Sequence, residues 1–253
     1  MNILRRRRRG LTLIELLVVL FILAALAGVA VGTVSNFQKK THGSTSANSI
    51  RSADQAITAE LITAGQLGDN FDALITAAGV VPDYVANANG LVPFDLSTDA
   101  DAAPALGELG ITTIHPAAAD TLVALAGNAT LEGHNYAATI DVSAGADNIA
   151  ALAPGAVTQT ELNFNLATGQ FDQIFAFGLG ERATLVGLNR AFKEAPLHTP
   201  GEGSAATTYG RYAILVGYET GGEAQFIGVT CIDDGENFNN VNRNLGEFFE
   251  ASN

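Results

Sequence analysis

The sequence predicts an α+β protein: a long N-terminal helix, an irregular helical insertion, and an antiparallel sheet drawn from the C-terminal half. Three observations lead there. Residues 16–34 are apolar except for Gly28, Gly32 and Thr33. Ile50, Ala53, Ile57 and Leu61 recur at helical spacing among polar residues. Residues 211–233 set two β-rich runs on either side of Gly221-Gly222.

As a helix, residues 16–34 would span roughly 28 Å at about 1.5 Å per residue, close to the hydrocarbon thickness of a bilayer. Residues 5–9, all arginine, precede the run and hold the N-terminus in the cytoplasm, which puts Ser35 onward on the far side. Charge follows the same division. Those five arginines leave eight of the 13 basic residues for the segment 35–253; only Glu15 of the 26 acidic residues precedes it, so it carries 25 and a formal charge of −17. Such a surface repels phosphate backbones, so no nucleic-acid partner is expected. It favours solubility outside a membrane. Cys231 is the single cysteine, which excludes an intrachain disulfide and a cysteine cluster for zinc or iron–sulfur. The four histidines show no ligand-like spacing.

In RRRRRGLTLIELLVVLFILAALAG, residues 5–28, Glu15 lies inside the apolar run that follows the arginines and Gly10, where an ionised carboxylate costs on the order of a few kcal/mol. The segment could stay as a plain signal anchor, be removed as a secretory signal at Ala25-Leu26-Ala27, or be cut ahead of the run. The first two give Glu15 no purpose. The third has a known counterpart. A short basic leader ending in Gly10, a hydrophobic Leu11, a glutamate fifth after that junction and an apolar helix resemble the N-terminus of bacterial type IV prepilins and type II secretion pseudopilins. The resemblance implies that prepilin peptidase removes residues 1–10 between Gly10 and Leu11. It implies N-methylation of Leu11, and retention of residues 11–34 as a membrane-spanning and later filament-core helix. Glu15 would then face the positive N-terminus of a neighbouring subunit or of its own chain. A buried charge is tolerated when so paired, and losing the partner costs several kcal/mol. Many members carry a proline partway along this helix. Here the first proline is Pro82, and Gly28 and Gly32 offer either a turn that loosens or close helix packing.

Residues 35–65 read as the amphipathic continuation of the helix, ahead of an exported globular domain over 66–253. HGSTS at 42–46 is rich in poor helix formers, leaving open one long helix or two separated at Gly43. NFDALITAAG at 70–79 places Phe71, Leu74, Ile75 and Ala78 on one face and ends in glycine, which predicts a short helix. DADAAPALGEL and PAAADTLVALAG read as further short helices or loops within the insertion. Alternation predicts strands over 135–143 and 161–177, the latter broken by a turn at 167–169. In the hairpin of 211–233, Gly221-Gly222 reads as a two-residue turn, and Cys231 as a buried, inert thiol. The resemblance adds a pilin-like arrangement, with the second half of the helix packed on the antiparallel sheet.

DDGENFNN at 233–240 offers oxygen donors from Asp233, Asp234, Glu236, Asn237 and Asn239. Calcium favours six to eight such ligands from flexible loops, and some pseudopilins carry calcium in a late loop. The run departs from the D-x-[DN]-x-[DN]-G pattern, however, and DG and NN are ordinary turn formers, so its plainer reading is a solvated turn. Asp95, Asp99 and Asp101 form a weaker acidic group. Asn128 begins a glycosylation sequon whose plain reading is a loop, and Phe21 and Phe37 read as helix packing rather than an electron path. No nucleophile triad, phosphate-binding loop or carboxylate pair appears, so neither an enzyme nor a cofactor beyond calcium is expected.

The function expected is that of a structural subunit of a type IV pilus-like filament. Its partners would be prepilin peptidase, other copies of itself, the inner membrane before assembly, and pilus or secretion assembly machinery. It would cross the inner membrane once, with its body extracytoplasmic, before entering a cell-surface filament. The alternatives are a pseudopilin in a periplasmic pseudopilus of a type II secretion system, and a membrane-anchored binding domain that never polymerises.

Overall fold

The computed structural model describes residues 13–82, 85, 91–117, 138–145, 147–152, 170–196, 210–233 and 237–239, without the side chains of 25–44, 46, 232, 233 and 237–239. Helix α1 (Leu13–Ala64) is 52 residues long and unbroken, roughly 78 Å at the standard rise. It continues through Gly43, so the two-helix alternative is not adopted. Each poor helix former there costs less than about 1 kcal/mol, whereas a break would create two new ends with unsatisfied backbone groups. The helix closes at Gly65, with φ 73°, whose N–H donates to the Leu61 carbonyl at 2.8 Å.

Among the described residues nine strands follow: β1 (Phe71–Thr76), β2 (Leu91–Asp95), β3 (Thr113–Ala117), β4 (Ile140–Asp141), β5 (Asn148–Leu152), β6 (Gln173–Gly178), β7 (Tyr212–Tyr218), β8 (Ala224–Asp233) and β9 (Asn237–Asn239). Short helix α2 (Ala102–Glu108) lies between β2 and β3. The main order is β4-β3-β1-β6-β7-β8-β9. The sheet forks at β6, which pairs on one side with β7. Its other edge is shared by β1, at Phe177 and Gly178, and by β5, at Phe175, and β2 extends beyond β5. Among the described residues every pairing between these strands is antiparallel except β1 with β3. A parallel pair requires a crossover, and the chain between these two strands supplies it through β2 and α2.

The described part of the insertion expected between helix and sheet therefore contributes β1, β2 and β3 to the sheet, and residues 118–127 of PAAADTLVALAG lie outside the described residues. Residues 70–79 are not a helix: all six residues of β1 are buried. A strand covered on both faces loses its alternation, and its apolar run mimics helical spacing. Gly79 (φ 74°) serves a turn instead of a helix cap, its N–H donating to the Thr76 carbonyl at 2.9 Å. DADAAPALGEL does yield α2, which buries Ala102, Ala103, Ala105 and Leu106. Within the stretch 135–143, strand β4 holds only Ile140 and Asp141, and a 3-10 turn takes Val142–Ala144. Strand β6 lies where alternation predicts it, and the turn expected at 167–169 falls outside the described residues.

The hairpin of β7 and β8 is present, but its loop has five residues, 219–223, between the paired Tyr218 and Ala224. Gly221 takes φ 72°, and the Gly222 N–H donates to the Glu219 carbonyl at 2.8 Å. Asp172 holds the loop open by accepting the Thr220 N–H at 3.0 Å, a long-range contact that no local turn rule contains. The core runs along β6 and β7. Every β7 residue is buried, and the Phe175 ring stacks on Tyr218 at 5.8 Å and meets Phe94 edge-on at 5.2 Å. Phe171 lies over Gly217, where a Cβ would stand 2.6 Å from the ring. Cys231 is buried in β8.

Candidate functional site

The two halves of α1 differ in what surrounds them. Leu13, Ile14 and all eight residues of 16–23 are 49–83% exposed, on every side of the helix. Covering a large aliphatic or aromatic side chain contributes about 1.5–3 kcal/mol, so ten such residues together favour burial strongly. Glu15 is in the first turn and exposed, where the positive end of the helix dipole favours a carboxylate. Gly10 and Leu11 lie outside the described residues, as do the side chains of the rest of the apolar run. Among the described residues no helix is long and apolar enough to cross a membrane.

The second half is amphipathic. Ala47, Ile50, Ala53 and Ile57 are buried, Leu61 packs against them, and this stripe faces β8. Both carboxylates of the segment turn toward the body. Asp54 is partly buried and accepts a hydrogen bond from the Val229 backbone; burial pushes its carboxyl above the ordinary 3.8, against that bond. Glu60 accepts from Arg190 Nη1 at 3.3 Å. The Ser49 hydroxyl bonds Tyr212, whose phenol burial pushes upward.

The junction between helix and sheet is bound on several sides. The Leu67 and Gly68 N–H groups donate to the Leu109 carbonyl at 2.7 and 3.3 Å, and the Asn70 N–H donates to Thr113 at 2.9 Å. The Asp69 carboxylate accepts from the Thr112 N–H at 3.0 Å, the Thr112 hydroxyl at 2.7 Å and the Thr113 N–H at 2.7 Å. Thr184 Oγ1 accepts the Asp69 N–H at 2.7 Å, and the Thr184 N–H returns to the Asp69 carbonyl at 2.9 Å. Gly68 sits at φ 115°, and a side chain there would strike Thr184 Oγ1.

A second charged group has its centre inside the body. Asp72 and Arg211 are buried, and the Asp72 charge opposes the desolvation that lowers the pKa of Arg211. Arg211 donates from Nη1 to the Ala195 carbonyl at 3.1 Å and from Nη2 to Glu181 at 3.3 Å. It thereby fastens the segment after β6 to the start of β7. Gly180 is required because a Cβ there would run into the Asp72 carboxylate. The group holds structure together and presents no nucleophile. In sequence, Asp72 is the one charge inside an apolar strand, which is the signal that could have marked it.

The expected metal ligands are only partly in view. Asp233 ends β8 opposite Asn237 of β9, and Asn239 pairs with Cys231, so the run 233–240 includes a hairpin connection. Asp234 and Glu236 lie outside the described residues. Among the described residues no group of three or more His, Cys, Asp or Glu gathers as metal ligands do. In the weaker acidic group, Asp95 caps the 3-10 turn Leu96–Thr98 by accepting the Ser97 N–H at 2.8 Å. Asp99 accepts from the Asp101 N–H at 3.1 Å and the Tyr218 hydroxyl at 3.0 Å. These two carboxylates have backbone and packing roles. Asn128 lies outside the described residues.

Residues 5–31 match the model of the prokaryotic N-terminal methylation motif. The chain carries a type IV prepilin-like, class III signal peptide. That motif covers Gly10, Leu11 and Glu15, and it points to a pilin-type structural protein, not to an enzyme. Comparison with curated proteins and with solved structures yields no match.

Proposed function

We propose that the chain is a structural subunit of a type IV pilus-like filament. Prepilin peptidase cuts it between Gly10 and Leu11, and Leu11 is N-methylated. The segment 11–34 holds the protein in the inner membrane with the body outside, until assembly machinery gathers these helices into a filament core. One observation supports this above the others: the methylation motif leads directly into a helix whose large apolar residues are exposed on every side. That surface needs lipid or other copies of the same helix to cover it. Glu15 pairs in the filament with a positive N-terminus, since a carboxylate surrounded by apolar helices is tolerated only with an opposite charge.

Mass spectrometry of the mature N-terminus tests the reading. N-methylated Leu11 as first residue is expected. Gly28 as first residue replaces the reading with a discarded signal peptide, and an intact arginine cluster replaces it with a plain anchor. Glu15→Ala is expected to leave processing intact while filaments disappear; unchanged filaments would remove the assembly role assigned to Glu15.

A further inference from the structure

One short stretch of the body runs against its acidic character. Arg51, Arg182, Arg190, Lys193 and Arg211 are the Lys and Arg whose side chains are described, and three of them fall within residues 182–193. The strap 180–196 sets those three against two acids, Glu181 and Glu194, a net of +1 beside the −17 of the segment 35–253. Arg211 draws Glu181 back toward the core, donating to it at 3.3 Å. Arg182, Arg190 and Lys193 are exposed.

At the tip of the strap a closed turn holds an apolar side chain outward. The Gly187 N–H donates to the Phe192 carbonyl at 2.8 Å, the Phe192 N–H to Leu185 at 3.0 Å, and the Arg190 N–H to Gly187 at 3.3 Å. Asn189 takes φ 66°, a left-handed conformation that asparagine tolerates. Ala183 and Leu185 anchor the strap in the core, and Phe192 packs against it. Leu188 is thereby held 82% exposed, two residues before Arg190, with Lys193 directly after the closing Phe192.

The height of the strap decides what it meets. Arg190 is bonded to Glu60 at 3.3 Å, and Glu60 lies 26 residues beyond Val34. On the unbroken helix α1 that is roughly 39 Å past the apolar run. The strap therefore stands well clear of a bilayer that holds residues 11–34. A protruding apolar tip enters the soft headgroup layer of a bilayer without a matching pocket, and cations beside it meet lipid phosphates.

We infer that the strap 180–196 docks onto the anionic surface of a second membrane facing the body, with Leu188 among the headgroups and Arg190 and Lys193 on their phosphates. Charge complementarity selects this occupant. The acidic remainder of the body is repelled from such a surface, so the strap decides which side turns toward it. One strap binds weakly, and many chains anchored side by side add their straps into firm attachment. The inference rests on the anchoring of 11–34 in a first membrane and not on filament assembly.

Vesicle capture by the full chain tests it. The chain is reconstituted in phosphatidylcholine vesicles, and dye-filled acceptor vesicles are offered, made of phosphatidylglycerol mixed with phosphatidylcholine or of phosphatidylcholine alone. Capture of the mixed acceptors and not of the neutral ones is expected. Lys193→Glu is expected to lower the affinity about thirtyfold, since it replaces an attracted charge with a repelled one, and Leu188→Ser about tenfold. Both residues are exposed, and an unchanged melting temperature confirms that the body folds. No capture, capture that ignores both substitutions, or equal capture of neutral acceptors overturns the inference. Clustering of the protein-bearing vesicles with one another, lost in the same variants, overturns it in favour of a second copy as the occupant. A chain that fails to enter the first vesicles overturns the anchoring reading together with it.

Discussion

Leu17 and Ile57 belong to one helix, yet Leu17 is 59% exposed and Ile57 is 0% exposed. The packed half obtains its stability from the chain's own sheet, through a stripe of small and branched residues against β8. The other half has apolar residues on every side, so no single neighbour can cover it. A helix buried on one stripe is a component of a domain; a helix apolar all round requires a surrounding medium. Backbone continuity through Gly43 joins these two requirements in one element. Among the described residues the core takes in only the second half, and the first half stays exposed.

Aspartate substitutions test this contrast most severely. Ile57→Asp is expected to cost more than about 4 kcal/mol and to unfold the body, because it places a charge in the core. Leu17→Asp should leave body stability within about 0.5 kcal/mol while abolishing membrane retention and assembly. Urea denaturation of the detergent-solubilised chain, followed by tyrosine fluorescence, measures both. Equal losses would show that the two halves are not independent.

Charge tests the body next. Arg211→Met is expected to cost about 3 kcal/mol, because Asp72 would lose its buried partner, and the same denaturation reads it. A loss below about 1 kcal/mol would mean that the buried pair matters no more than a surface one. Asp54 gives a smaller, pH-dependent effect. Its carboxyl is raised above 3.8 by burial in the folded state, so its ionisation lowers stability as pH climbs from below 3.8 through the raised value. Asp54→Asn, which still accepts from the Val229 backbone, should stabilise by no more than about 1 kcal/mol at neutral pH, given solvent screening, and by nothing below pH 3.8. Smallest is Arg190→Ala, whose bond to Glu60 is exposed to solvent; the expected loss is about 0.3 kcal/mol.

The sequence states the two-part character of α1 openly, because helical spacing and apolar length are local properties. Ile50, Ala53 and Ile57 declare their common face without any knowledge of β8, and Gly10, Leu11 and Glu15 form a contiguous signal. Strand β1 is hidden for the opposite reason. Its six buried residues owe their pattern to neighbours that arrive much later in the chain, so FDALIT resembles a helical face. The parallel partner of β1 and the forked edge of β6 depend on pairing across long separations, and no local pattern encodes them. The β7–β8 loop is a compromise: Gly221 marks its place, but its length depends on Asp172. Likewise, nothing local shows that Asp54 and Glu60 turn to bond with the body.

The bonds of Asp69 and Thr184 at the base of α1 have a mechanical meaning. They leave no swivel between rod and head, so the heading of the head about the rod's long axis is set within each molecule. In the filament proposed above, rods aligned side by side would therefore repeat one head orientation. A pull along the rod enters β1 and β3 together instead of stretching a tether. Loosening Gly68 and Asp69 would turn a bearing surface into a hinge.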